Sequence, residues 1–250
     1  MNLGVVPTKI ASNPAFVLDE QARIRATLAR VAIFRDLPVA TIDDLGRRVS
    51  VRRVPGGEAI VTRDQVGDAL YVVMAGRAKV VMTGESGREV TLAVLRSADI
   101  FGEMSLFDGK ARSASVVAID PVTVLSIGRE DILRHLAHHP QTAFNLLAEM
   151  SRRLRKADET IAELALCDVQ DRLIRRLISL AREDGMELPE GALIRRRPTQ
   201  QDLANMVGAC RETISRTFNL LARRGLIVPR GRSLLVTRRL VTMATPAQAA

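Results

Sequence analysis

Apolar positions change their period along the chain, and each period predicts a different element. Residues 1–24 show no clear period and hold Pro7 and Pro14, which predicts a mobile tail. A short helical segment is expected from about Ile24 to Ile33, ended by Phe34-Arg35-Asp36-Leu37-Pro38, with a further helical turn over Thr41 to Arg48. From Val49 to Ile127 short β-rich runs alternate with glycine: Val49–Val54, Ala59–Thr62, Leu70–Met74, Ala78–Met82, Val90–Leu95, Ala114–Ile119 and Val122–Ile127. Short strands broken by turn signals at this spacing predict a sandwich or barrel. Gly84-Glu85-Ser86-Gly87 reads as a hairpin tip.

A long helical pattern follows over 140–168. Leu147, Leu154 and Ile161 recur every seven residues, as do Met150, Ala157 and Leu164. This a/d seam predicts burial against a second helix, most simply the same helix of another subunit. Its flanks are charged (Arg152, Arg153, Arg155, Lys156, Glu159, Glu163), which leaves only the narrow seam to bury. Residues 169–241 read as helix, short loop, helix, turn, helix and hairpin. Leu173, Leu177 and Leu180 mark the first helix, and the stretch from Asp184-Gly185 to Glu190-Gly191 is expected as a loop. Thr199 with Asp202 three residues on predicts a capped helix start. Ile227–Arg232 and Leu234–Arg238 flank Gly231 as a β wing, and 242–250 is expected as a second tail.

Charge changes the picture of that last third. The 250-residue chain carries a net +9, with 33 Arg and only 4 Lys. Residues 169–250 hold 15 basic and 7 acidic side chains, a net +8, against 22 and 21 in residues 1–168. A local positive field of this kind suits a polyanion such as double-stranded DNA. The 47% hydrophobic and 26% charged composition excludes a wholly disordered or collagen-like chain. No run of 18 apolar residues and no basic-then-apolar leader at Met1–Ala11 occur, so neither membrane nor secretion is expected, and the protein is placed in the cytoplasm.

Gln200–Asn219 fits a helix-turn-helix. Leu203, Ala204 and Val207 face inward from the first helix, Gly208 supplies the turn, and Ile214 and Phe218 face inward from the second. Arg211, Glu212, Ser215 and Arg216 then fall on the outer N-terminal surface, the part that enters a major groove. Arginine can donate twice to guanine O6 and N7, and glutamate can accept from cytosine N4. Cys210-Arg-Glu-Thr-Ile-Ser-Arg216 resembles the recognition helix of the cyclic AMP receptor protein / fumarate-nitrate regulator (CRP/FNR) family of bacterial transcription factors. The resemblance extends over about 28–240. It implies an α+β chain with an N-terminal cyclic-nucleotide-binding-like β-roll (a double-stranded jelly roll) at 25–139, a dimerisation helix at 140–168 and a winged helix-turn-helix at 169–241. It also implies a homodimer, a half-site of the TGTGA kind, and contact with RNA polymerase at a surface that includes 184–191. Cys210 stands where some members have a phosphate-facing serine, and a thiol is the weaker donor. Ser215 matches the fumarate-nitrate branch. Thr199, Cys210, Thr213, Arg230 and Arg232 are the expected phosphate contacts, joined by Arg195, Arg196, Arg197, Arg223 and Arg224.

Phe101-Gly-Glu-Met-Ser-Leu-Phe-Asp-Gly-Lys-Ala-Arg-Ser113 resembles the phosphate cassette of cyclic-nucleotide-binding domains. Gly102 would let backbone N–H groups approach an anion, Arg112 would offer a charge-assisted fork, Ser113 a hydroxyl, and Glu103 an acceptor for a ribose 2′-OH, with Met104 beside it. Alternatively, Glu103 and Arg112 pair with each other and merely hold the loop. On the long helix the resemblance assigns base recognition to Arg153 and to a hydroxyl pair whose positions here are Ala157-Asp158. Alanine cannot hydrogen-bond a base, and an ionised aspartate only accepts. Cyclic AMP, a guanine ligand such as cyclic di-GMP, and no ligand at all therefore stay open. A nucleotide-gated module acting through a partner protein is the alternative to a DNA-binding regulator.

Other chemistries find little support. An iron–sulfur sensor needs four cysteine ligands, and only Cys167 and Cys210 are present. His135 and His139 are four apart but lack further ligands nearby, and His138-His139-Pro140 reads as a solvated helix end, so no metal is expected. No Walker loop, nucleophile elbow or zincin motif occurs, which argues against an enzyme. Thr8 and Ser12 are tail hydroxyls that could take up phosphate.

Overall fold

A computed structural model describes residues 14–244. Thr8, Ser12 and the last six residues of the expected C-terminal tail lie outside that range.

The expected tail to residue 24 is corrected by helix α1, Pro14–Leu28. Its periodicity is weak because Ile24 and Leu28 sink into the core while Arg23 and Arg25 stay at the surface. A 3₁₀ turn at Ala32–Phe34 and helix α2, Val39–Gly46, follow. Eight strands come next: β1 Ser50–Val54, β2 Ala59–Val61, β3 Ala69–Ala75, β4 Ala78–Thr83, β5 Glu89–Leu95, β6 Ile100–Phe101, β7 Ser115–Ala118 and β8 Val122–Gly128. They form two four-stranded sheets, ordered β1-β8-β3-β6 and β2-β7-β4-β5. Strand β3 shows why the pattern is legible. Its Leu70, Val72 and Met74 join the layer that holds Ile24, Leu28 and Ile42, while Val73 packs with Val54, Ile60 and Val116. Alternate side chains on one strand thus serve two separate apolar layers. Helix α3, Glu103–Asp108, interrupts the strands, and α4, Arg129–His138, leads into the 27-residue α5, Pro140–Leu166.

The chain divides into two compact units. The first runs to Val80 and includes Ala93–Ser151; the second combines Val81–Leu92 with the chain from Arg152 onward. In the second unit α6, Val169–Asp184, is capped by Asp168, whose carboxylate accepts from Asp171 N. Its Leu173, Leu177 and Leu180 join Leu203, Ile214, Phe218 and Leu234 in one core. The expected loop at 184–191 is instead a hairpin: β9 Gly185–Leu188 pairs with β10 Gly191–Ile194 across the Pro189-Glu190 turn. Four-residue strands carry too little alternation to outweigh that turn signal. Helices α7, Gln200–Val207, and α8, Arg211–Arg223, precede the wing strands β11, Ile227–Arg230, and β12, Ser233–Thr237. The expected tail from residue 242 starts inside α9, Arg238–Ala244, which Leu240 anchors in the core. No helix among the described residues is long and apolar enough to cross a membrane.

Candidate functional site

Local chemistry fixes the ends of α7 and α8. Thr199 and Asp202 form a reciprocal capping box: Thr199 Oγ1 accepts from Asp202 N at 3.1 Å, and Asp202 Oδ2 accepts from Thr199 N at 3.0 Å. The Thr199 hydroxyl also donates to Asp202 Oδ2 at 2.7 Å, so the expected phosphate contact at Thr199 already has its donors engaged. Gly208 ends α7 in the left-handed region at φ +66°, where an L side chain is strained. Ile214, Phe218 and Leu221 bury the inner face of α8.

The outer face of α8 brings the expected base-reading set together at its N-terminal half. Arg211, Glu212 and Arg216 are exposed and Ser215 is half-buried. Cys210 is the N-cap and is exposed; its Sγ lies 3.0 Å from Thr213 Oγ1. That hydroxyl holds the thiol below its ordinary pKa. Thr213 is therefore tied to Cys210, and the two expected phosphate contacts share one hydrogen bond.

The basic residues around this face are placed differently from one another. Arg232 is exposed at the wing turn, and its carbonyl accepts from Arg197 N at 3.0 Å. The Arg197 guanidinium stands 5.9 Å over the Phe218 ring. Arg195 donates to Met186 Sδ at 3.4 Å, and Arg230 pairs with Glu190 at 3.4 Å. Arg196, Arg223 and Arg224 are exposed. Asn205 on α7, for which the sequence gives no signal, is buried. It accepts from Gln201 Nε2 at 2.8 Å and donates to Glu89 Oε1 at 3.1 Å.

In the first unit, the cassette is folded around its own arginine. Gly102 (φ +82°) and Gly109 (φ +68°) flank α3. Arg112, only 4% exposed, donates through Nη1 to Gly102 O at 2.6 Å and through Nη2 to Ala69 O at 3.0 Å. Its guanidinium also lies 5.6 Å from the Tyr71 ring centre. A Cβ on Gly102 would come within 2.5 Å of Arg112 Nη1, and one on Gly67 within 2.6 Å of the same guanidinium. The space that these glycines open is thus filled by Arg112. Two of the guanidinium N–H groups expected to meet a phosphate thus face backbone carbonyls. Ser113 is exposed, and its hydroxyl points to Met104 Sδ at 3.6 Å; Met104 is exposed and Glu103 buried.

Helix α5 carries an uncovered apolar stripe. Leu147, Leu154, Ile161 and Leu164 are 50–65% exposed, and Ala157 is exposed beside them. Met150 instead packs on the first unit's core. Arg153 is half-buried and Asp158 exposed on the same helix.

At the expected solvated helix end His138 and Pro140 are exposed and His139 is half-buried. His135 is buried, with Nε2 3.1 Å from Thr142 Oγ1, an edge-on Phe34 ring and the His139 ring 4.7 Å away. Burial first, and the neighbouring His139 second, lower its pKa to about 4. Among the described residues no cluster of three His, Cys, Asp or Glu forms a metal site.

The cyclic nucleotide-binding domain family matches residues 51–139, and the Crp-like helix-turn-helix domain family matches 171–240. The CRP-like cAMP-activated global transcriptional regulator of Mycobacterium tuberculosis is 31% identical over 210 residues, covering 84% of this chain and 94% of the relative. The cyclic AMP receptor protein of Thermus thermophilus is 38% identical over 176 residues, 70% of this chain and 78% of the relative. Among solved structures, the c-di-GMP responsive global regulator CLP of Xanthomonas campestris superposes with a TM-score of 0.72 at 25% identity, over 80% of this chain and 99% of that one.

Proposed function

The chain belongs to the CRP/FNR family of DNA-binding transcription regulators, and on that premise we propose that it reads a pseudo-palindromic promoter site as a homodimer without needing a cyclic nucleotide. The observation that carries the DNA reading is the outward face of α8, where Arg211, Glu212 and Arg216 are exposed while Ile214 and Phe218 anchor the helix. Arg211 and Arg216 are suited to guanine edges and Glu212 to a cytosine amino group. Arg223, Arg224 and Arg232 are suited to phosphates, which position without specifying. The α5 stripe is the proposed dimer seam, since an apolar surface of this length on a regular heptad invites a second helix. Two-fold symmetry then sets two half-sites about one helical turn apart.

Relatives are named as cAMP-activated, and the Xanthomonas regulator as c-di-GMP responsive. In this chain Arg112 is buried and already donates to Gly102 O and Ala69 O, which supports a cassette that holds its shape without a cyclic phosphate. Ala157 offers no hydrogen bond to a base. The β9–β10 hairpin is the proposed surface toward RNA polymerase, by family resemblance, and a promoter-binding role places the protein in the cytoplasm. The named relatives are regulators rather than enzymes.

The test is a binding titration of a TGTGA-type palindrome against a scrambled duplex at fixed salt. Specific binding that Arg211→Ala removes supports the reading; equal binding to both duplexes by the parent protein contradicts it.

A further inference from the structure

Helix α5 ends at Leu166 and α6 begins at Val169, so Cys167 and Asp168 make up the whole joint between them. Carbonyls at a helix C-terminus lack intrahelical partners and carry partial negative charge. Arg172, in the first turn of α6, answers two of them at once. Its Nη1 donates to Cys167 O at 2.7 Å and its Nε to Val207 O at 3.0 Å. Val207 is the last residue of α7, immediately before the Gly208 turn of the helix-turn-helix. One planar guanidinium therefore clamps the C-terminal ends of α5 and α7, a geometry that a single-point donor such as lysine cannot reproduce. The turn itself rests on the end of α5, since a Cβ on Gly208 would lie 3.1 Å from Leu164 Cδ2. Across the same joint Arg175 and Glu163 approach to 3.8 Å at the surface.

We propose that Arg172 is a positioning residue that locks the helix-turn-helix to the C-terminal end of the dimer helix and so fixes the half-site spacing the dimer accepts. This rests on the homodimer reading above. Each added base pair moves a half-site by about 3.4 Å and turns it by roughly 36° around the duplex, given about ten base pairs per turn. A stiff joint follows such a change poorly, whereas a loosened joint lets each recognition helix swivel to meet it. Both carbonyl partners of the guanidinium lie outside α8, so single half-site recognition does not depend on it.

The full-length protein, Arg172→Lys and Arg172→Gln are titrated against palindromes whose spacer is shortened or lengthened by one and two base pairs, and against a single half-site. Circular dichroism and thermal melting establish that each variant is folded. The parent is expected to show one sharp spacing optimum. Arg172→Gln flattens it about tenfold, the scale of one charge-assisted hydrogen bond, and leaves half-site affinity unchanged. Arg172→Lys lies between, and carries the test if the glutamine variant does not fold. A variant that weakens every duplex by the same factor, or that keeps the parental profile, overturns the proposal alone. A parent that shows no specific optimum overturns the homodimer reading and the proposal with it.

Discussion

The cassette of the first unit and the recognition helix of the second each set an arginine after a glycine turn, Arg112 after Gly102 and Arg211 after Gly208. Arg112 lies inside, with its fork on two backbone carbonyls and an aromatic ring alongside. Arg211 lies outside at the start of α8. A guanidinium offers five donors in a fixed plane, and what those donors already touch decides whether a ligand can claim them. The two glycines differ in the same way. Gly102 makes room for Arg112 itself, whereas Gly208 makes the turn that precedes α8. On the proposed reading the polyanion-facing chemistry resides in the second unit, while in the first unit Arg112 binds the cassette's own backbone.

Substitutions probe this contrast, and the largest effect is expected at Arg112. Arg112→Ala leaves two buried carbonyls without their donor and is expected to lower folding stability by about 3 kcal/mol, read by denaturant unfolding. Base preference in the folded protein should not change. Unaltered stability with lost DNA binding would instead mark Arg112 as a ligand residue. Next comes Arg211→Ala, expected to cost about 1–3 kcal/mol on the cognate duplex and little on a scrambled one, measured by anisotropy. Smaller still is Arg230→Ala, which should weaken all sequences alike and reduce the salt slope by about one. Its pairing with Glu190 at 3.4 Å moderates that effect.

His135 gives the smallest effect at neutral pH and bears on a first unit whose polar groups turn inward. Its pKa is lowered from 6.5 to about 4. The unfolded chain therefore takes up this proton at a higher pH than the folded one. The corresponding stability is complete above about pH 6.5 and is lost as pH falls toward about 4. Thermal melting across that window should fall less steeply for His135→Gln than for the parent.

Much of this arrangement was legible in the chain because it is local. The capping box at Thr199 and Asp202, the apolar pair Ile214 and Phe218, and the heptads of α5 all follow from spacing within one or two turns. Short strands such as β2, β7 and β11 were legible as β-branched runs bounded by turn residues, while the two-residue β6 and the β9 and β10 pair beside the Pro189-Glu190 turn signal were not. The orientation of Arg112 was not legible, because it depends on Ala69 O, 43 positions away, and on the room that Gly67 leaves. Arg172 gave no sequence signal for the same reason: its partner Val207 is 35 positions distant. Asn205 likewise reaches across 116 positions to Glu89. Motif residues identify the kind of chemistry available, and the long-range backbone decides which way it faces.

The most direct test of an inward-turned cassette beside an outward-turned recognition helix is anisotropy of a TGTGA-type palindrome against a scrambled duplex at fixed salt. It is run without ligand, with cyclic AMP and with cyclic di-GMP. Specific binding without ligand, unchanged by either nucleotide, is the expected result. Specific binding that appears only when one of the nucleotides is added would contradict the account, since the cassette would then be a ligand site and not a structure closed on Arg112.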